Sequence, residues 1–177
     1  MRLLFLTMLA VLFAAPAKAQ MSVSTFGATD AVECYRNAAS EVARDTGPCD
    51  AALRDSATKK RDRIKTLVNR GIIHNRNSDI AKAVADFDAA LAMDGGLAEA
   101  YLNRGNSRFL ASDYASALDD YEKALRLGVS KPWAAWYNIG LVHDARKESE
   151  KARDAYEKAL ALKPDFSLAQ EKLARLD

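Results

Sequence analysis

Two histidines, His74 and His143, are the only imidazoles in this 177-residue chain, and imidazole is the usual acid, base or metal ligand near neutral pH. Each stands three residues after a glycine, Gly71 and Gly140, so the two fill one place in a recurring pattern. Neither has companions spaced for catalysis. No serine sits in a nucleophile elbow, and no glycine-rich phosphate loop is present. Asp119-Asp120 and Glu148 to Glu150 lack further ligands at suitable spacing and read as solvated charge on helix surfaces and turns. The chain is expected to be no enzyme and to need no cofactor or metal.

The remaining reactive groups are two cysteines, Cys34 and Cys49, and their state depends on compartment. Arg2 followed by the apolar run Leu3 to Ala15 and the small-x-small triplet Ala17-Lys18-Ala19 has the form of a secretory signal peptide over 1–19, cleaved after Ala19. The run is short for a permanent span; an uncleaved N-terminal anchor is the competing reading. No cysteine follows the cleavage site to carry a lipid. Export to the periplasm, or secretion, puts both cysteines in an oxidising compartment, where a pair is more often bonded than free. A Cys34–Cys49 disulfide is expected, worth about 3 kcal/mol in the chain-entropy account.

Charge narrows the partners. The precursor has 26 Lys and Arg against 24 Asp and Glu, and loss of Arg2 and Lys18 leaves the mature chain balanced. Nucleic-acid binders show a clustered basic surplus; here the nearest feature is Lys59-Lys60-Arg61-Asp62-Arg63, short and interrupted by an acid. Protein or peptide partners remain, with no nucleic acid and no membrane insertion after cleavage.

The elements that must position any binding residues follow from an internal repeat. Gly71, Gly105 and Gly140 lie 34 and 35 residues apart. Two residues before each is an asparagine, Asn69, Asn103 or Asn138; twelve after comes Ala83, Ala117 or Ala152. Sixteen after comes an aromatic, Phe87, Tyr121 or Tyr156, and nineteen after Ala90, Ala124 or Ala159. Apolar residues at steps of three and four predict two amphipathic helices per unit. Small residues at the glycine and alanine places let the helices approach, and the aromatic fills the space between them. Asp79, Asp113 and Lys147-Glu148-Ser149 mark the breaks between helices.

Ala135-Trp136-Tyr137-Asn138-Ile139-Gly140, followed by Ala152, Tyr156, Ala159 and Lys163-Pro164, resembles a tetratricopeptide repeat of the exported bacterial type, and Ala100 to Gly105 and Thr66 to Gly71 open two more. The resemblance covers 61–164 as three repeats of approximately 64–97, 98–132 and 133–166. It implies an all-α, right-handed α-solenoid of antiparallel helix pairs. The first repeat departs by ending in Asp94-Gly95-Gly96, and the second carries one extra residue around Gly128 to Lys131. Upstream, 29–60 reads as a degenerate helix pair, Thr29 to Ala43 and Pro48 to Ala57. Ala31, Cys34, Tyr35 and Ala38 share one stripe there, and Cys49, Ala52 and Leu53 the other. Residues 165–177 read as a capping helix with Phe166, Leu168, Leu173 and Leu176 on its apolar side, and 20–28 as a flexible lead.

The resemblance also implies roles. The histidine place usually holds a bulky packing residue. The first helices line a concave groove, and the family's contact places fall on Val68, Asn69, Ile72, Leu102, Asn103, Asn106, Phe109, Tyr137, Asn138 and Leu141. Such a mixture of apolar and amide groups suits an extended peptide or a helix, unless the asparagines merely brace neighbouring helices. Repeats that clamp chaperone tails place a lysine one residue before the asparagine; Val68, Leu102 and Tyr137 stand there instead. The expected function is a non-catalytic adaptor or scaffold in the cell envelope. The alternatives are a self-associating or structural subunit of a larger envelope complex, and an accessory factor to an enzyme.

Overall fold

The computed structural model describes residues 26–176. The signal peptide expected over 1–19, its cleavage site, and 20–25 of the lead lie outside them. Among the described residues there are nine helices and no strand: α1 (Phe26–Ala39), α2 (Gly47–Arg54), α3 (Lys60–Arg76), α4 (Ile80–Met93), α5 (Ala98–Leu110), α6 (Tyr114–Arg126), α7 (Pro132–Ala145), α8 (Ser149–Leu162) and α9 (Ser167–Ala174). Each helix packs against its successor, and α3, α5 and α7 also touch one another in sequence, so four antiparallel pairs stack into a solenoid closed by α9.

The recurring glycine sets the spacing inside each pair. A Cβ at Gly71 would lie 2.8 Å from the Phe87 ring, one at Gly105 would lie 2.6 Å from the Tyr121 ring, and one at Gly140 would come closer still to Tyr156. Phe87, Tyr121 and Tyr156 are fully buried as a result. Each such side chain removes enough apolar surface to contribute about 2 kcal/mol. Apolar packing joins the second unit to the third: Tyr121 packs with Ile139, Val142 and Ala155 of the next unit, and Ala124 with Ala98, Val129 and Ala135.

Every first helix of the three repeats ends the same way. Ser78, Ser112 and Lys147 hold left-handed φ values of 64°, 61° and 60°. The next amide reaches back five residues, from Asp79 to the His74 carbonyl, Asp113 to Arg108 and Glu148 to His143. No glycine supplies this turn; an acid follows it at the start of each second helix, Asp79, Asp113 or Glu148, and of these Asp113 caps its helix, Oδ1 accepting the Ser116 amide. The extra residue of the second repeat is absorbed by Gly128, at φ 76°, where Val129 N bonds the Ala124 carbonyl.

The end units depart from expectation in detail. Cys34 and Cys49 are joined and fully buried, and they pack on Ile73 of α3, fastening the first pair to the repeats. Helix α1 begins at Phe26, inside the stretch expected to be a flexible lead, and stops at Ala39 instead of Ala43. Ser40 Oγ there accepts the amides of Val42 and Ala43, and the Arg76 guanidinium takes the carbonyls of Asn37, Ala38 and Ala43. Helix α2 ends at Arg54, short of Ala57, because Asp55 Oδ1 captures the Ala57 amide. Tyr35, expected on the buried stripe beside Cys34, is 62% exposed. The final helix runs only over Ser167–Ala174 and buries Ala169, while Leu168 faces solvent. Phe166 packs instead at the helix start, against Trp133 and Tyr137.

Candidate partner-binding face

Ten residues were expected to line a groove on the first helices: Val68, Asn69 and Ile72 on α3, Leu102, Asn103, Asn106 and Phe109 on α5, Tyr137, Asn138 and Leu141 on α7. All ten are partly buried. Their engagement within the molecule differs. Val68 leans on the cluster of Ile64, Leu67 and Ala90. Leu102 and Phe109 pack around Tyr121 and Ile139, and Phe109 meets the Tyr114 ring at 5.7 Å between centroids. Tyr137 is held between Tyr156 at 5.7 Å and Phe166 at 5.0 Å. Such side chains form a rigid, apolar floor.

The asparagines divide into two kinds. Asn138 Nδ2 donates to Asn106 Oδ1 at 2.7 Å, and the Tyr121 hydroxyl donates to the same oxygen at 3.1 Å. Those amides brace the second repeat against the third. Asn69 and Asn103, one unit apart on α3 and α5, form no side-chain hydrogen bond among the described residues, although both are partly buried. A half-buried amide keeps both a donor and an acceptor available.

Behind this face lies a set of ion pairs that the charge pattern had not suggested. Arg70, one residue before Gly71, forms a two-pronged pair with Asp86 of α4 at 2.6 and 2.8 Å and reaches Asp50 of α2 at 2.7 Å. Arg104 repeats it, with Asp120 of α6 at 2.6 and 2.9 Å and Asp88 of α4 at 2.6 Å. Arg108 adds a second donor to Asp120 at 2.8 Å. Asp120 had been read as solvated charge, but its side chain is only 3% exposed. Burial of a carboxylate is tolerated because two guanidinium groups surround it. Hydrogen bonding by Asp86 and Asp120 raises the affinity of Arg70 and Arg104 for their protons. The signal was present in the sequence: arginine and aspartate sixteen residues apart in two units, and Ile139 with Ala155 at both places in the third.

Both histidines have acids beside them. His143 Nδ1 lies 2.7 Å from Glu148, whose carboxyl is held below the usual carboxylate range chiefly by this bond. His74 is buried, with Asp79 3.5 Å from Nδ1 and Asp86 3.8 Å from Nε2. Among the described residues no group of His, Cys, Asp and Glu is arranged to hold a metal ion.

Stacked helix pairs in one register, with a partly open face on the first helices, define a helical repeat protein of the solenoid class. The Tetratricopeptide repeat family model matches residues 98–127 and 133–166. Human tetratricopeptide repeat protein 13 is 30% identical over 118 residues, which is 67% of this chain and 14% of that protein. The chain thus spans about one-seventh of that curated relative. The crystal structure of MamA superposes with a TM-score of 0.63 at 28% identity, covering 73% of this chain and 77% of that one. The first such domain of Spaghetti (RPAP3), bound to the HSP90 peptide SRMEEVD, superposes at 0.60 and 21% identity, covering 64% and 89%. This chain belongs to the tetratricopeptide-repeat proteins.

Proposed function

We propose that the protein is a non-catalytic adaptor that holds an extended segment of another protein along α3, α5 and α7, in the periplasm or another exported setting. The observation that carries this reading is the pair of unengaged amides, Asn69 and Asn103, at one place in consecutive units beside the apolar Val68, Ile72 and Leu102. An extended chain offers backbone groups at regular intervals, and asparagine can donate to and accept from them. The peptide-bound RPAP3 domain supports a peptide as the class of partner. Val68, Leu102 and Tyr137 offer no cation to a terminal carboxylate, so an internal segment fits better than a free C-terminus. The sequence at 1–19 and the buried cystine both favour an oxidising, exported location.

The test begins with proteins captured from an envelope extract and mapped on tiled, C-terminally amidated peptides. The double change Asn69→Ala and Asn103→Ala is expected to weaken the mapped peptide about tenfold or more, each lost hydrogen bond being worth about 1 kcal/mol. Circular dichroism should be unchanged. Full affinity in the double variant moves the site to another face; binding that requires a free carboxylate refutes the internal-segment reading.

A further inference from the structure

The first and second repeats differ in what reaches the buried acid of the second helix. In the second, Arg108 on α5 sends its guanidinium to Asp120 Oδ2 and to the Ser116 carbonyl, at 2.8 and 3.3 Å. Asp120 Oδ2 thereby receives two donors, Arg104 Nε and Arg108 Nη1. The equivalent residue of the first repeat is His74, and its equivalent acid is Asp86. Asp86 Oδ2 receives Arg70 Nε alone, and the imidazole stops 3.8 Å short of it. Beside His74 and Asp86 there is an open cleft of about 360 Å³, lined also by Thr46, Asp50, Arg70, Lys82 and the exposed Ala85.

Three properties of this cleft specify what it takes. His74 is 9% exposed and lines it, and its Nδ1 makes no hydrogen bond among the described residues. The lining acids Asp50 and Asp86 equal Arg70 and Lys82 in number, and Asp79, 3.5 Å from His74 Nδ1, adds a further acid beside the cleft. Arg70 and Lys82 are themselves committed, Arg70 to Asp50 and Asp86 and Lys82 to Asp79. A free acceptor on a buried carboxylate, with the Lys82 carbonyl as the counterpart of Ser116, calls for a planar cation with several donors. The molecule displays that guest one repeat later.

We propose that the cleft between α2 and α4 is a receptor for an arginine side chain presented by a partner protein. The guest guanidinium would occupy the place of Arg108 in the neighbouring unit, donating to Asp86 Oδ2. The cleft shares no residue with the peptide face, so the two readings stand or fall separately.

The probe is N-acetyl-arginine amide, titrated into the purified protein and followed by NMR at the His74 ring and at the amides of residues 79–86. Saturable shifts there are expected, with N-acetyl-citrulline amide about tenfold weaker because it lacks the charge. His74→Arg installs the second repeat's own side chain and should abolish the shifts without lowering Tm. Ala85→Arg, at a solvent-exposed position on α4, should abolish them from the other wall and serves if His74→Arg fails to fold. Equal binding of citrulline, shifts confined to other residues, or undiminished binding in a folded filled-cleft variant would overturn the proposal.

Discussion

The charged residue of greatest consequence is Asp86, because its carboxylate is almost wholly covered and depends on Arg70 for compensation. Removing one partner of such a pair leaves the other buried and uncompensated. Asp86→Ala is expected to cost about 3 kcal/mol in urea unfolding. The third repeat carries a working replacement, Ile139, His143 and Ala155 at the places of Arg70, His74 and Asp86. Adding Arg70→Ile to Asp86→Ala should therefore restore most of the loss, and a double variant no more stable than the single would contradict this account. A count of charges does not say which way these pairs point. Alignment on the glycines places Arg70 and Arg104 beside the helix contact. Their joint replacement by apolar residues in the third unit shows that they travel together. Asn106 and Asn138 were named as contact residues, and nothing in their type revealed that they bond each other; that depends on how one unit rotates onto the next.

Helices meet most closely where glycine faces an aromatic ring, and the three copies form a graded series. Alanine at Gly71, Gly105 or Gly140 would push against the buried ring of Phe87, Tyr121 or Tyr156, with the available space shrinking in that order. None of those rings has solvent to retreat into. Each substitution should destabilise by about 1 to 3 kcal/mol, largest at Gly140. Chemical denaturation of the three single variants checks both size and order; a neutral Gly140→Ala would mean that α7 and α8 separate at little cost. This element was fully legible, since the glycine and the aromatic recur at fixed spacing. The ends were less so. A helix without neighbours on both sides has no repeated landmark to fix its rotation, so Tyr35 was placed inside although it faces out. Serine and aspartate side chains that capture backbone amides stop α1 and α2 earlier than their apolar patterns do.

Across the whole molecule, the three turns between first and second helices share one electrostatic device. Asp79, Asp113 and Glu148 all sit below the usual carboxylate range, held there first by hydrogen bonds from Lys82, Ser116 and His143 respectively. A carboxyl whose folded-state value is lowered stabilises the fold above its unfolded value, and that contribution disappears as pH falls through the folded one. Stability should therefore decline between about pH 5 and pH 3, and Glu148→Gln should make the decline shallower. Urea midpoints measured across that range give the answer; an identical slope in the variant would remove Glu148 from the acid limb. The stack has a further property that lies in its connectivity. Arg104 joins the second helix of its own unit to the second helix of the one before, so the second unit carries a plug and the first offers it a socket. The second unit offers its socket too, Glu122 at the place of Asp88, but the third has Ile139 where the plug would be, and Glu122 turns to Arg126 on the surface instead. A duplicate of the second unit spliced directly behind the original would find a matching acid waiting, so the array is open to lengthening at that junction by simple gene duplication.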